Sequence, residues 1–193
     1  MKRRIEKCIK SAIENYTSIF QNDNLKANIQ QIVTESVSAF QSDKKILLCG
    51  NGGSASDAQH IAAELSGRFY ANRPPLYAEA LHVNSSFMTA VANDYGYEGT
   101  YARMVEAAGR KGDILVGIST SGNSPNVVKA IKKAKELGMT TVGFTGKNGG
   151  TMRDICDIMI CTPSDDTPRV QEAHILVGHI ICQLIEEEMF PDA

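Results

Sequence analysis

Apolar side chains at Ile5, Cys8, Ile9, Ala12, Ile13, Tyr16 and Ile19 recur every three or four residues, the stripe of an amphipathic helix over about residues 4–20. Leu25, Ile29, Ile32, Val33, Val37 and Phe40 repeat that spacing and predict a second helix. From Lys45 the pattern changes to short, β-rich apolar runs alternating with helical segments. The runs Ile46–Cys49, Ala78–Leu81, Ile114–Ile118, Thr141–Phe144 and Ile158–Cys161 read as strands. Helices are predicted over about 54–68, 85–91, 97–108, 125–137 and 169–189. Alternation of this kind implies a parallel sheet with right-handed crossovers and helices on both faces. The predicted fold class is therefore α/β: a three-layer, doubly wound, five-stranded parallel sheet preceded by two N-terminal helices. Such a sheet has no need of that preface. Residues 1–42 are accordingly read as a helical pair serving an oligomer interface and 43–193 as the sheet core, together one domain.

Composition narrows the function classes. The 193 residues are 42% hydrophobic and 22% charged, ordinary for a soluble globular chain, and the formal net charge of −2 argues against a broad nucleic-acid footprint. The Lys-rich stretches at 2–4 and 129–135 sit at helical spacing and read as solvated faces. Five scattered cysteines without a Cys-x-x-Cys pair read as reduced thiols, four of them within apolar runs. No apolar core of signal-peptide length follows the basic N-terminus, and no stretch approaches the ~20 apolar residues of a membrane helix. The expectation is a cytoplasmic protein with no membrane and no nucleic acid as partner.

Three places carry chemistry. The strand ending at Ile118 runs into Ser119-Thr120-Ser121-Gly122-Asn123-Ser124 and then into a helix. Several O–H and N–H donors are thereby aimed at the positive end of a helix dipole, a site for a phosphate dianion. The same hydroxyls could instead serve only to cap that helix. The glycine-rich turn Cys49-Gly50-Asn51-Gly52-Gly53-Ser54 permits close backbone approach to a ligand but is neither a dinucleotide fingerprint nor a Walker A loop. The helix it opens presents His60 and Glu64 on one face, four residues apart, suited to a metal, to proton transfer or merely to an exposed pair. In the last helix Gln171 and His179 interrupt an apolar surface. A buried, satisfied histidine is the plainer reading of His179, and Glu172 and His174 are read as structural. Asn93-Asp94 before Tyr95-Gly96 is equally explained as turn chemistry, and Asn148-Gly149-Gly150 as a turn only.

Taken together and in order, the Cys49–Ser54 turn, His60 to Leu65, Asn93 to Gly96, Ile118 to Ser124 and Arg169 to His174 resemble the phosphoheptose isomerase family, which has the sugar isomerase (SIS), flavodoxin-like fold. The likeness spans nearly the whole chain. It implies an aldose–ketose isomerase joining sedoheptulose 7-phosphate to D-glycero-D-manno-heptose 7-phosphate through an enediolate. That is the first step towards nucleotide-activated heptose for lipopolysaccharide or other surface glycans. By the same resemblance Ser119, Thr120, Ser121 and Ser124 hold the phosphate, and Asn51, Gly52, Gly53, Asn93 and Asp94 line the sugar. His60, Glu64, Gln171 and His179 match zinc-binding positions, with Glu64 and Gln171 also touching substrate. The implied assembly is a homotetramer with shared sites. For the reaction itself, one carboxylate base and one imidazole acid suffice, and Glu64 and His179 are assigned those roles. A zinc ion acting as Lewis acid on the enediolate oxygens is the competing picture. Some members carry an acidic residue immediately before the Arg-x-Gln-Glu segment, where this chain has Pro168.

Two rivals share the fold. One is a non-catalytic SIS adaptor that binds a replication initiator and lacks the acid and histidine found here as Glu64 and His179. The other is an isomerase or sensor of another phosphosugar, which usually carries further domains.

Overall fold

The computed structural model describes residues 1–192. Five strands, β1 (Ile46–Gly50), β2 (Ala78–Ala80), β3 (Ile114–Ile118), β4 (Thr140–Thr145) and β5 (Ile158–Cys161), form one parallel sheet in the order β2-β1-β3-β4-β5. Every residue of β1 and β3 is buried, as expected for central strands covered on both faces. Alternate side chains sort into two cores. Ile46, Leu48, Val116 and Phe144 pack under α2 (Asp23–Gln41), α3 (Gly53–Ser66) and α7 (Thr167–Met189). Leu47, Cys49 and Leu115 pack under α5 (Thr100–Ala108) and α6 (Pro125–Glu136). The three layers and the class expected from the alternation are those observed.

Because β1 lies between β2 and β3, the crossovers leaving β1 and β3 diverge, and their loops emerge side by side at the carboxyl edge. In open α/β sheets ligands collect at that switch point. The helix α1 (Lys2–Phe20) lies outside this frame, tied to α7 where Asn15 Nδ2 donates to the Arg169 carbonyl. Its apolar stripe is uncovered: Ile5, Ile9 and Ile13 are each more than half exposed. Beside it, α1, α2 and α7 bound an apolar groove of about 780 Å³ lined by Ile19, Phe20, Val33, Leu176, Ile180 and Leu184.

Three details differ from the sequence reading. The helix α4 (Ser85–Tyr95) continues through Asn93 and Asp94 and is ended by Gly96 at φ +79°. Residues 97–99 form a separate 3-10 turn. Gly149 and Gly150, at φ +76° and +52°, begin a 3-10 helix over Gly150–Asp154 where only a turn was expected. Of the cysteines only Cys49 and Cys182 are fully buried; Cys8 is exposed. Among the described residues no helix is long and apolar enough to cross a membrane.

Candidate active site

The hydroxyl loop folds on itself. Ser119, almost wholly buried, shares a hydrogen bond of 2.8 Å with the Ser124 hydroxyl, and its Oγ lies 3.4 Å from that of Ser121. Ser124 occupies the N-cap position of α6, yet its side chain makes no capping hydrogen bond. Capping alone therefore does not account for these hydroxyls. They stand at the N-terminus of a 12-residue helix, where the dipole and free N–H groups favour an anion.

A buttress that the sequence did not advertise holds the loop. Gly122 is at φ +68°, and a Cβ there would stand 2.0 Å from the Gly149 carbonyl. Met152 N–H donates to the Gly122 carbonyl, and both the N–H and the hydroxyl of Thr151 donate to Asn123 Oδ1 at 2.8 Å. Gly146 N–H donates to the Thr120 carbonyl at 2.9 Å. The Gly149–Met152 stretch thus braces the hydroxyl loop as well as turning the chain. Its signal was two consecutive glycines where one suffices for a turn.

The second group of polar side chains arises from how α3 and α7 meet. They run side by side in the same direction: a Cβ on Gly53 would fall 2.4 Å from Gln171 Nε2, and one on Gly178 would fall 2.6 Å from Ile61 Cδ1. Glycine at both contacts lets the helices close on each other. Gly178 adjoins His179 and Ile61 adjoins His60, so the same closeness brings the two imidazoles together. His60 Nε2 lies 3.1 Å from Glu64 Oε1 and 3.4 Å from His179 Nε2. One ligand atom from each of His60, Glu64 and His179 lies within 4.8 Å of the others. The Phe69 ring, 5.8 Å away, flanks His179.

Two imidazoles and a carboxylate are a donor set zinc accepts, and bonds of about 2.1 Å in a tetrahedron put ligand atoms about 3.4 Å apart. The trio fits such an ion. Gln171 sits elsewhere, over Gly53, seven residues and about 10 Å along α3 from His60. Its amide faces the glycine turn.

Asp57, one turn before His60, has a carboxylate oxygen buried without a partner. Burial pushes its carboxyl up to about 6, partly offset by His60. The i,i+3 spacing of Asp57 and His60 was visible in the sequence, but nothing there separated it from a solvated acid.

A buried ion pair braces this corner. Glu186 accepts N–H bonds from Phe69, Tyr70 and Ala71 and the Arg73 Nε–H at 2.9 Å, while Arg73 donates to the carbonyls of Glu64 and Leu65 at the end of α3. Burial raises the Glu186 carboxyl, yet these donors outweigh it and hold the group below the usual carboxylate range.

The remaining expected residues are placed as follows. Asn51 joins Tyr97 and Asn126 in a hydrogen-bonded cluster. Asn93 Nδ2 donates to Asp94 Oδ1 on the exposed end of α4. Gly52, at φ +56°, is the N-cap of α3. Pro168 lies in the first turn of α7, where its missing N–H costs nothing. Glu172 pairs with Arg169, and His174 is fully buried with Nε2 on the Thr145 carbonyl.

A doubly wound sheet with a hydroxyl loop at the switch point is the architecture of a SIS-domain protein, and the SIS domain family matches residues 10–146. The chain belongs to the phosphoheptose isomerase family. It is 53% identical to the phosphoheptose isomerase of Clostridium acetobutylicum over 190 residues, covering 98% of this chain and 97% of that protein. The phosphoheptose isomerase structure from Neisseria gonorrhoeae superposes with a TM-score of 0.91 at 39% identity, covering 96% of this chain and 98% of the other. That from Francisella tularensis gives 0.92 at 35% identity, with 96% and 97% covered.

Proposed function

We propose that this chain interconverts sedoheptulose 7-phosphate and D-glycero-D-manno-heptose 7-phosphate, supplying heptose for lipopolysaccharide or another surface glycan from the cytoplasm. The observation that carries the reading is the His60–Glu64–His179 trio on the same framework as a hydroxyl loop. A phosphosugar needs the loop, but only a reaction needs the trio. An adaptor of the same fold has no use for it.

Ser119, Thr120, Ser121 and Ser124 hold the phosphate, while Asn51, Gly52, Gly53, Asn93, Asp94 and Gln171 line the sugar. Moving the carbonyl from C2 to C1 removes a proton from C1 and returns one to C2, while the hydroxyl proton on O1 passes to O2 across the enediolate. Glu64 takes the first, on the carboxylate oxygen that His60 leaves free, and His179 returns the second. Each such transfer contributes on the order of 10²–10⁴ in rate. His60, Glu64 and His179, with Gln171 as the fourth position the resemblance implies, would hold a zinc ion. When bound, that ion supplies Lewis-acid stabilisation of the enediolate oxygens. Nε2 of His179 faces the trio, and in a metal bond it has no proton to give, so through that nitrogen His179 is either third ligand or acid. The spacing of the trio favours the ligand; the His60–His179 contact, through which one proton can be shared, favours the acid.

The exposed stripe of α1 and the adjoining groove support a homotetramer in which residues 1–42 form the interface of a one-domain subunit and sites are shared with neighbours. The test is an aldose–ketose assay with sedoheptulose 7-phosphate, with and without a chelator. Turnover is expected, and chelation that abolishes it, reversed by zinc, makes the metal part of the reaction. Undiminished turnover after verified metal removal leaves the side chains alone to carry the reaction, and loss of turnover in His179→Gln of that metal-free protein then assigns His179 as acid. No turnover in either sample overturns the function.

A further inference from the structure

The carboxamides of Asn51 and Asn126 form a closed reciprocal pair. Asn51 Nδ2 donates to Asn126 Oδ1 at 2.9 Å, and Asn126 Nδ2 donates to Asn51 Oδ1 at 2.8 Å. Each oxygen takes a second bond: Tyr97 Oη donates to Asn51 Oδ1 at 3.0 Å, and the Val127 backbone N–H donates to Asn126 Oδ1 at 3.0 Å. Both oxygens are then saturated, and each nitrogen keeps one N–H. Asn126 is 2% exposed and stands in the first turn of α6, two residues past Ser124. Asn51 opens the turn between β1 and α3. The pair is a strut between the two loops that leave the sheet side by side.

The strut also has a polarity. A backbone N–H can only donate, so Val127 fixes which end of the Asn126 amide is oxygen. Asn126 in turn fixes Asn51, and the Tyr97 hydroxyl completes the set as a donor. Turning either amide over would set donor against donor and acceptor against acceptor, at the cost of unmade bonds in a partly buried place.

We infer that Asn126 is a positioning residue for the isomerase reaction. It holds the phosphate-binding helix at a fixed distance from the sugar-lining turn, and it commits Asn51 to meeting the sugar with a single N–H and no acceptor. The inference rests on the phosphosugar reading above. Its distinctive consequence is that Asn126 matters only to a ligand that touches both loops. Phosphate alone needs the hydroxyl loop, which has its own buttress at Gly149 to Thr151.

The experiment measures kcat and KM for sedoheptulose 7-phosphate, together with the inhibition constant of inorganic phosphate, in wild type, Asn126→Ala, Asn51→Ala, the double variant and Tyr97→Phe. Asn126→Ala should lower kcat/KM about tenfold, the scale of one net hydrogen bond, and leave phosphate inhibition within twofold. The double variant should be no worse than Asn51→Ala, since both substitutions cut one strut. Tyr97→Phe, at a half-exposed position that tolerates the change, should lose about threefold; it bears the test alone if Asn126→Ala does not fold. Additive losses, phosphate inhibition weakening in step with kcat/KM, or variants within twofold of wild type would each overturn the positioning role while the isomerase reading stands. An inactive wild type would instead overturn that reading, and the inference with it.

Discussion

The two polar centres of this molecule are built in opposite ways. The hydroxyl loop draws on consecutive residues, 119 to 124, contains no Lys or Arg, and is shaped by backbone bonds to a glycine-rich buttress. The trio draws on ionisable side chains from two helices, with His60 and His179 119 residues apart in sequence. In the proposed roles the first spreads its work over several fixed dipoles, so truncating one member weakens it without abolishing it. The second places charge and lone pairs at one point, so each member is irreplaceable. Holding an anion requires only a preformed cradle, whereas moving protons requires groups that change state.

The sharpest way to break that contrast is Glu64→Gln. The substitution keeps the shape of the side chain and its reach to His60 but removes the base. It should lower kcat at least about a thousandfold, within the range assigned to a general base, with unchanged inhibition by inorganic phosphate. Near-normal turnover would mean that the trio is not the chemical centre. Next, His60→Ala should weaken zinc binding at least a hundredfold, measured by competition with a chromophoric chelator. Loss of a second-shell group alone costs tenfold to a hundredfold, and a ligand costs more. Equal affinity in the two proteins would remove the metal from the trio.

The contrast also governs how much the sequence reveals. The strand-to-helix pattern announces the hydroxyl loop because all its parts are contiguous, and the alternation announces a parallel sheet, though not the order β2-β1-β3-β4-β5. His60 and Glu64 are recognisable as an i,i+4 pair. His179 is named as their partner by the family resemblance and not by spacing, because the pairing depends on α3 and α7 running parallel at glycine-to-side-chain contact. The clue was Gly178, a helix-weakening residue in the apolar middle of α7, and its meaning appears only once Ile61 is seen against it. Asn126 was hidden for a different reason. An asparagine in the first turn of a helix reads as local chemistry, and its reciprocal partner is 75 residues away. The stripe on α1 was legible as apolar but silent about what covers it.

Beneath the hydroxyl loop lies one titratable group, His174, whose Nε2–H donates to the Thr145 carbonyl at 3.1 Å while Nδ1 has no partner. Burial lowers its pKa to about 4, against a smaller opposing effect of the Thr145 bond. The folded state therefore holds fewer protons than the unfolded one between about pH 4 and the ordinary 6.5. Stability is flat above that window and falls as pH drops through it, by on the order of 3 kcal/mol in all. His174→Gln keeps an N–H donor and removes the titration. Urea unfolding at pH 7.5 and pH 5 should show a smaller difference in the variant than in wild type. An equal difference would mean that the histidine takes up its proton without leaving the fold.

The smallest expected effect probes the loop itself. Ser121 is exposed, its Oγ accepts the Asn123 N–H at 3.1 Å, and it lies at the edge of the Ser119–Ser124 pair. Removing that hydroxyl leaves the buried Ser119–Ser124 bond, the Gly149 buttress and the α6 dipole intact. Ser121→Ala should therefore raise KM about tenfold, one hydrogen bond to a charged group, with kcat within twofold. A rise in KM shared by inorganic phosphate inhibition would locate the loss at the anion, as the contrast requires. A fall in kcat with KM unchanged would mean that the loop aligns the reacting carbons, and the division between a passive cradle and an active trio would not hold.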